Sequence, residues 1–457
     1  MKIGFIGLGK LGLPCALAIE SRGHEVCGYD VNPQIKKYIE QKKIPYLEEG
    51  VEDLLKETKI KVIDLESVLI ESDICFVSIQ TSHDPRYEGI TPLPGDRVDF
   101  NYSYLISGIR DIIETIVKYN NLNEKDKRKE FVISIISTVL PGTMYREIFP
   151  LIPNGLTNLH IVYNPFFIAM GTTVKDFLYP EFVLLGVDDP YAAEKVQSFY
   201  HETLPITPGK LVLSAPVFKC SIPSAEAIKV LYNTYITQKI CFANAAMELC
   251  EKTGADVDHV IDALSLGTRR ITSSSYMRAG MGDGGGCHPR DNIALSYIAR
   301  KLNISYDWWE NLMIAREKQT EWLASLILDQ VSNTGYGVLI LGSAFKPETN
   351  LQTGSPAILL YNILILNGIY PKIFDPYIDE ATILDEYKYP VKIDKDNTEI
   401  KRDSLYIFQG EPKIFFIGTK HKVFKDYIFP KDSIVIDPFR YIPNQDGVFI
   451  KRIGEGK

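Results

Sequence analysis

Short apolar runs alternate with helical patterns over about the first 200 residues of the chain. The apolar runs predict strands at 2–6, 25–29, 61–63, 74–78, 131–135 and 160–163. Helical patterns lie between most of them, for example at 11–21 and 105–118. This alternation predicts a parallel, doubly wound α/β sheet of the Rossmann type.

The pattern becomes almost wholly helical after about residue 215. A long helix is predicted at 221–252, with Pro223 near its start and Gly254 just past its end, as is usual at helix boundaries. A glycine-rich loop at 280–286 interrupts further helix, which resumes from Asp291 to about Gln330. The central part of the chain is therefore predicted to be a helical region.

Alternation returns at Gly337, where a second and smaller Rossmann-like α/β domain is predicted. Its strands are predicted at 338–341, 372–374, 413–417 and 433–436, and a buried helix at 357–366. We therefore predict three domains, at residues 1–212, 213–330 and 331–457.

The composition is that of a globular protein, with 45% hydrophobic and 24% charged residues among 457. The formal net charge is −8, and no basic block indicates a surface for nucleic acid or anionic membranes. A strand-like segment begins at Lys2 and leaves no room for a signal peptide, while 357–366 is too short to span a bilayer. Seven cysteines without a Cys-x-x-Cys pair fit a reduced, cytoplasmic setting.

Gly7, Gly9 and Gly12 form a Gly-x-Gly-x-x-Gly motif between the first predicted strand and the first predicted helix. The first glycine makes a tight turn, the second lets a pyrophosphate approach, and the third permits close packing of a helix whose N-terminus faces the phosphates. Asp30 follows Gly12 by 18 residues at the end of the second strand, where a carboxylate binds both ribose hydroxyls and repels a 2′-phosphate. Motif, spacing and acid together predict NAD, in preference to NADP, as the cofactor.

Three further positions carry candidate chemistry. Lys229 and Asn233 stand four residues apart on the long helix and share a face, although such a pair is more often a solvated surface feature. Cys287 ends the glycine-rich loop, whose backbone lets a ligand approach and leaves N–H groups free near the sulfur, whereas a lone cysteine is usually a small buried hydrophobe. Asp291 lies where the helix resumes and could be a simple N-cap.

Taken in order along the chain, these motifs resemble those of the UDP-glucose/GDP-mannose dehydrogenase family, the nucleotide-sugar 6-dehydrogenases. The resemblance covers nearly the whole sequence. Its marks are 7–12, 137–143, 164–165, Lys229 with Asn233, 284–287 with Asp291, 344–347, 355–356 and 375–376.

The resemblance implies a four-electron oxidation of the C6 alcohol of a nucleotide sugar to the uronic acid, with two NAD. Cys287 would capture the intermediate aldehyde as a thiohemiacetal and then carry a thioester. Lys229 and Asn233 would stabilise the developing oxyanion. Asp291 and Thr138, with a bound water, would transfer protons.

The resemblance also implies a role for each domain. The first domain would bind NAD, and the long helix of the central domain would pair two chains in a homodimer. The third domain would bind the nucleotide of the substrate, with UDP as the first hypothesis. Cofactor contacts are implied at Gly7, Gly9, Leu11, Gly12, Asp30, Thr81 and Thr138. Substrate contacts are implied at Phe167, Ile168, Lys229, Asn233, Arg270, Gly284, Phe345, Lys346 and Arg440. No metal is expected, because Cys287 and His288 have no second ligand pair at metal spacing.

The sequence departs from the family at several of these motifs. Phe166 and Met170 stand where the family has two glutamates, one of them usually assigned to thioester hydrolysis. Gly286 replaces the serine before the cysteine, and 349–353 lacks an arginine usually placed near the cofactor pyrophosphate. Two non-acidic side chains beside the reacting carbon indicate a different sugar, or a different base, from those of the UDP-glucose enzymes.

Two other functions stay open. The two-electron β-hydroxyacid dehydrogenases share the Rossmann start and the Lys-x-x-x-Asn helix, but they need neither Cys287 nor a second α/β domain. A degenerate homologue could bind a nucleotide sugar without turnover, and the missing glutamates are the support for it. The sugar is not fixed, with a UDP-hexose or UDP-N-acetylhexosamine as the first hypothesis. Counting the NADH released per sugar separates the three functions, which give two, one or none.

Overall fold

The computed structural model describes residues 1–46, 48–82, 99–205, 215–273, 278–283, 287–349, 351–352, 354–378, 398–402, 405–408 and 410–455. For 287, 290, 291, 294, 398–402 and 405–408 the description is confined to the backbone. Within these residues the chain forms two compact units, Met1–Thr237 and Gln238–Lys457.

The first unit is built on one sheet. Its strands are β1 (Lys2–Ile6), β2 (Glu25–Tyr29), β3 (Lys61–Val62), β4 (Ile74–Val77), β5 (Phe131–Ile135), β6 (Leu159–Tyr163), β7 (Val183–Val187) and β8 (Val217–Cys220). Among the described residues their order across the sheet is β3-β2-β1-β4-β5-β6-β7-β8. Because β1 lies between β2 and β4, the strand order reverses there, and the carboxyl ends of β1 and β4 form the switch point where such sheets bind ligands.

Helices cover the sheet of the first unit. They are α1 (Gly12–Glu20), α2 (Pro33–Glu40), α3 (Val51–Glu57), α4 (Leu65–Glu71), α5 (Ser103–Leu122), α6 (Thr173–Leu178) and α7 (Pro190–Thr203). Asn32, Asp64 and Asp189 cap α2, α4 and α7 by accepting hydrogen bonds from backbone N–H groups of the first turn. Lys129 caps the other end of α4, where its amine donates to the carbonyl oxygens of Leu69 and Ile70.

The core lies on both faces of this sheet. In β1, Ile3 and Phe5 pack into one apolar cluster, and Ile6 packs into the opposite one. Burial on both faces explains why β1, β4 and β5 read as nearly continuous apolar runs. The prediction of a doubly wound sheet is confirmed, with one difference: β7 runs antiparallel to β6.

The helix α8 (Ile222–Thr253) begins in the first unit and ends in the second, one residue later at each end than predicted. Pro223 takes its second position, where a missing N–H costs no intrahelical hydrogen bond. Gly254 follows the last residue with φ +75°, and Ala255 N donates to Cys250 O at 3.0 Å. This is the left-handed glycine ending that the sequence predicts.

The second unit contains the remaining elements. Its helices are α9 (Val257–Ser265), α10 (Cys287–Lys301), α11 (Trp308–Thr334) and α12 (Pro356–Leu366). Its strands are β9 (Val338–Leu341), β10 (Lys372–Phe374), β11 (Thr398–Arg402), β12 (Leu405–Phe408), β13 (Ile414–Ile417), β14 (Tyr427–Ile428), β15 (Ile434–Asp437) and β16 (Phe449–Arg452). In the part of the unit that the structure describes, a parallel sheet has the order β10-β9-β13-β15-β16, and a smaller sheet has the order β11-β12-β14.

The predicted helix from Asp291 to Gln330 is wrong in two respects. Helix α10 begins earlier, at Cys287, so Asp291 lies inside the helix and is not its N-cap. The segment is also divided, because Asn303 adopts φ +49° after α10, and Asp307 accepts a hydrogen bond from Glu310 N to start α11.

None of the helices in the described ranges is long and apolar enough to cross a membrane.

Candidate active site

The turn after β1 has the geometry that a dinucleotide needs. Gly7 adopts φ +94°, and its N–H donates to Tyr29 O at 2.8 Å. A Cβ added at Gly12 would lie 2.2 Å from Gly7 O, so only glycine lets α1 start this close to the strand. A Cβ at Gly9 would meet none of the described atoms within 4 Å, so the second glycine faces open space. Leu11 is the residue before α1.

Asp30 is held beside this turn at the carboxyl end of β2. Its Oδ2 accepts a hydrogen bond from Leu8 N at 2.7 Å, and its Oδ1 accepts one from Asn32 N at 2.7 Å. The carboxylate is therefore fixed by backbone N–H groups of the segments that follow β1 and β2. A carboxylate oxygen has more than one lone pair, so both oxygens can still accept hydrogen bonds from ribose hydroxyls.

Thr81 and Thr138 lie on neighbouring loops, after β4 and β5. Thr81 Oγ1 donates to Thr138 O at 2.7 Å, and Ser137 Oγ donates to Ile79 O at 2.5 Å. These two bonds join the loops at the same edge of the sheet as the glycine turn. The structure thus brings together every predicted cofactor residue in the first unit, and their geometry fits NAD.

Lys229 is buried on α8, with 7% of its surface exposed. Its Nζ donates to Phe166 O at 2.6 Å and lies 5.0 Å from the centre of the Phe167 ring. Burial lowers the pKa of this amine. Asn233, one turn further along the same face, is exposed.

The loop after β6 places Phe166 and Phe167 in different surroundings. Phe166 is 8% exposed and packs in the core, 5.4 Å from the Phe177 ring. Its position beside the reacting carbon stays a prediction. An aromatic ring gains more from this apolar contact than from exposure at a polar site. Phe167 instead packs against Tyr232 at 4.6 Å, and Ile168 is partly buried.

Two carboxylates that the sequence did not single out hold the rest of this loop. Glu48 accepts hydrogen bonds from Gly171 N at 3.0 Å and Thr173 N at 2.6 Å, across more than 120 residues of chain. Asp176 accepts one from Ala169 N at 2.9 Å. No spacing rule could have found Glu48, because its partners are so distant in sequence.

In the second unit, Cys287 is the first residue of α10 and Asp291 lies one turn later. The segment before it is anchored by Arg316 of α11, whose Nε donates to Asp283 Oδ1 at 2.7 Å. His288 is more than half exposed, and its Nδ1 lies 3.9 Å from Asp283 Oδ2. The predicted contact residue Gly284 lies outside the described residues.

A second glycine turn follows β9 and repeats the first one closely. Gly342 adopts φ +91°, and its N–H donates to Phe374 O at 2.7 Å. Asp375, at the end of β10, accepts from Ser343 N at 2.7 Å, as Asp30 accepts from Leu8 N. Here, however, buried His421 also contacts Asp375, through Nε2 at 3.2 Å. Burial alone would raise the pKa of Asp375, but hydrogen bonds, first of all from His421, lower it.

The other predicted substrate residues of the second unit are spread over three loops. Lys346 Nζ lies 5.2 Å from the centre of the Phe345 ring, in the loop after β9. Arg440 donates to three carbonyl oxygens, at 2.6 Å to Pro438, 2.8 Å to Ile453 and 2.7 Å to Ala279. Arg270 is exposed in the turn after α9.

Comparison with known proteins places this geometry in a family. Residues 1–204 match the NAD binding domain of the UDP-glucose/GDP-mannose dehydrogenase family, and residues 223–316 match its central domain. The chain belongs to this family.

Named relatives span most of the chain. GDP-mannose 6-dehydrogenase of Pseudomonas aeruginosa is 28% identical over 84% of this chain and 83% of its own length. UDP-glucose 6-dehydrogenase of Bacillus subtilis is 27% identical over 84% of this chain and 78% of its own length. The crystal structure of a ternary complex of the Pseudomonas aeruginosa GDP-mannose dehydrogenase superposes with a TM-score of 0.80 at 25% identity, over 98% of this chain and 99% of that one.

Membership of the UDP-glucose/GDP-mannose dehydrogenase family confirms three predictions: the family, the class of NAD-dependent nucleotide-sugar dehydrogenase, and NAD as the cofactor. The boundaries of the three domains and the roles of the individual site residues stay predictions.

Proposed function

We propose that this chain oxidises the C6 alcohol of a nucleotide sugar to the carboxylate, releasing two NADH per sugar. Two features carry the proposal. The first is the glycine turn after β1, which has no space for a Cβ at Gly12 but open space for a ligand at Gly9. The second is Cys287 at the start of α10, in a chain that belongs to this family. The first feature supports hydride chemistry, and the second supports an oxidation that continues past the aldehyde.

Bound NAD supplies the hydride acceptor for both oxidations. Between them, the Cys287 thiolate adds to the aldehyde carbon, and the carbonyl oxygen takes up a proton to become the hydroxyl of a thiohemiacetal. Loss of hydride from that carbon to the acceptor, together with loss of the hydroxyl proton, leaves a thioester. Addition of water then releases the carboxylic acid and the thiol. The first turn of a helix favours an anion, which makes the start of α10 a suitable position for a thiolate.

Lys229 is proposed to stabilise the oxyanion at each tetrahedral stage, together with Asn233. An ammonium group carries three N–H donors, so its bond to Phe166 O leaves donors for a substrate oxygen. Thr138 and Asp291 are proposed to hold a water and transfer protons. The base for thioester hydrolysis has no assignment, because the family's first glutamate position holds Phe166, whose ring lies in the core.

We also propose a cytoplasmic homodimer that pairs through α8. Exposed apolar side chains on this helix support a protein interface: Leu231, Tyr235, Ile236, Ile240, Phe242 and Met247. The charge of −8 and the absence of a basic block in the sequence give no support for nucleic acid as a partner.

The test is a panel of UDP-, GDP- and dTDP-hexoses and N-acetylhexosamines, followed by NADH absorbance under single-turnover conditions. Two NADH per sugar consumed is the expected result for the best substrate. One NADH, with an aldehyde or ketone product, would indicate the two-electron β-hydroxyacid type of reaction. Binding of a nucleotide sugar with no NADH at all would indicate a homologue that binds without turnover.

A further inference from the structure

Glu226 lies three residues before Lys229 on α8 and has no exposed surface. Its Oε2 accepts a hydrogen bond from Gly142 N at 2.6 Å, and its Oε1 accepts one from Met144 N at 2.8 Å. Both oxygens of a fully buried carboxylate are thus bound to one short backbone segment. Burial raises the pKa of Glu226, and the two hydrogen bonds only partly offset this.

The segment that Glu226 binds is the end of the loop that carries Thr138. Thr81 Oγ1 binds the loop at Thr138 O, and the hydroxyl of Tyr102 accepts a hydrogen bond from Leu140 N at 3.3 Å. Gly142 then turns the chain with φ +88°. The loop is therefore held near its start by Thr81, in its middle by Tyr102 just before α5, and at its end by Glu226 of α8.

Only a carboxylate satisfies this arrangement. Two N–H donors converge on one side chain, and a carboxylate offers an acceptor to each of them. A glutamine at the same place would offer one carbonyl oxygen and would turn an NH₂ group towards the second N–H. A buried donor facing a donor is unfavourable, so the segment at Gly142 or Met144 would move away.

We propose that Glu226 is a positioning residue, which fixes the loop of Thr138 relative to Lys229 by binding the N–H groups of Gly142 and Met144. The inference rests on the proposed function, in which Thr138 and Lys229 act on the same substrate. Because α8 carries both Glu226 and Lys229, the distance between the amine and the loop is set through less than one helical turn.

The first test compares Glu226→Gln with Glu20→Gln, measured per folded enzyme with the best nucleotide sugar. Glu20 is the matched control, because it also accepts a hydrogen bond from a backbone N–H, that of Lys59 at 2.8 Å, away from the predicted site residues. We expect Glu226→Gln to lower kcat by about 10- to 100-fold, as expected for a small displacement of a catalytic group, with KM for NAD changed by less than about threefold. Glu20→Gln should keep kcat near wild type even where it lowers the melting temperature. A kcat of Glu226→Gln within about twofold of wild type would overturn the inference.

A double-variant cycle asks whether Glu226 acts through Thr138. If it does, adding Glu226→Gln to Thr138→Ala should lower kcat by less than about threefold further, because the group being positioned is already gone. If the fold-changes in kcat of the two single variants instead multiplied in the double variant, the two residues would act independently and the inference would be contradicted.

Amide hydrogen exchange separates this inference from the proposed function, because it needs no turnover. Glu226→Gln should speed exchange at Gly142 and Met144 while leaving the amides of β1 protected as in wild type. If wild-type protein made no NADH from any sugar, the proposed function would fail, and unchanged exchange at these two amides would overturn the positioning role as well.

Discussion

At the residue scale, the glycine turn after β1 depends on the lack of a side chain at Gly12 and on the carboxylate of Asp30. At Gly12 the nearest obstacle to a Cβ is a backbone oxygen, which cannot rotate away as a side chain could. Asp30, by contrast, is held by two backbone N–H groups and presents a fixed negative charge. Replacing Gly12 should therefore disturb the packing of the turn, whereas replacing Asp30 should change the charge that the cofactor meets.

Gly12→Ala and Gly9→Ala form a matched pair. Gly12→Ala should destabilise the protein by about 1–3 kcal/mol, as overpacking does, and should also weaken NAD binding. Gly9→Ala should leave stability nearly unchanged, since its Cβ enters open space, but should weaken NAD binding because that space is proposed for the pyrophosphate. Urea unfolding and NAD titration measure both effects. Tight NAD binding by Gly9→Ala would mean that the pyrophosphate lies elsewhere.

Asp30 should set the choice of cofactor. A 2′-phosphate would come close to its carboxylate, so kcat/KM with NAD should exceed that with NADP by at least about tenfold, or roughly 1.4 kcal/mol. Asp30→Asn should narrow this ratio, because the repulsion is removed while one acceptor oxygen remains. Steady-state kinetics with both cofactors measure the ratio, and equal efficiency in wild type would refute the role of Asp30.

Cys287→Ser tests the covalent route. The hydroxyl is nearly isosteric, so NAD and the sugar nucleotide should still bind. Turnover should fall by several orders of magnitude, because a serine hydroxyl is a poor nucleophile without a base to activate it. An ester of the sugar acid on the protein should then be visible by mass spectrometry. Cys220→Ser, in the edge strand β8, is the control and should turn over like wild type. Release of two NADH per sugar at the wild-type rate by Cys287→Ser would exclude the thiohemiacetal route.

At the element scale, prediction from sequence worked where one face or both faces of an element are buried. The bounds of β1, β2, β5, β9 and β10 match the predicted ranges, because their apolar runs reflect the core directly. The edge strand β8 has the composition Val-Phe-Lys-Cys with its middle exposed, so it leaves no such pattern. Strand β7 was missed for another reason: Val-Leu-Leu-Gly-Val is a short apolar run, and periodicity alone does not distinguish such a run from a buried helix segment.

Side-chain anchors were the part of the site that no sequence pattern could predict. The glycine turn and Lys229 belong to spaced motifs, whereas Glu48 binds a loop more than 120 residues away. The motif around Phe166 indicates where its Cα lies and not where its ring packs, so the burial of that ring was not predicted.

The contact between β6 and the start of α7 should make the stability of the fold depend on pH. His160, in β6, contacts Glu130 Oε2 at 2.7 Å through Nε2 and Asp189 Oδ2 at 2.6 Å through Nδ1, and Asp189 also caps α7. Partial burial lowers the pKa of His160, but the hydrogen bonds and charges of the two carboxylates outweigh it and leave the pKa raised above 6.5. The protonated ring therefore stabilises the fold fully below pH 6.5, and this contribution is lost as pH rises through the folded-state pKa.

We accordingly expect His160→Gln to be less stable than wild type at pH 6 and to approach wild type at pH 9. The urea midpoints of the two proteins are measured across this pH range. Their difference removes the pH dependence that the other histidines contribute equally to both proteins. A stability difference that does not change with pH would show that the carboxylates do not hold the imidazolium.

At the scale of the whole molecule, α8 has two kinds of surface along its 32 residues. Near its start, Glu226 and Lys229 are buried in the first unit. Further along, Leu231 and Ile240 are 62% and 55% exposed, and Met247 is 52% exposed. A long helix with apolar residues in water over several turns is unfavourable for a single chain, so this surface is expected to be covered by a second copy.

The dimer can be tested directly by light scattering with multi-angle detection. Wild type should have about twice the chain mass of 51.7 kDa at micromolar concentration. Leu231→Asp combined with Ile240→Asp should give the monomer mass, because each charge would have to be buried unpaired at the interface. Leu122→Asp is the matched control: Leu122 is 73% exposed on α5, so the same change there should leave the mass doubled. A wild-type monomer, or a dimer that survives both aspartates, would mean that α8 is not the surface through which the copies pair.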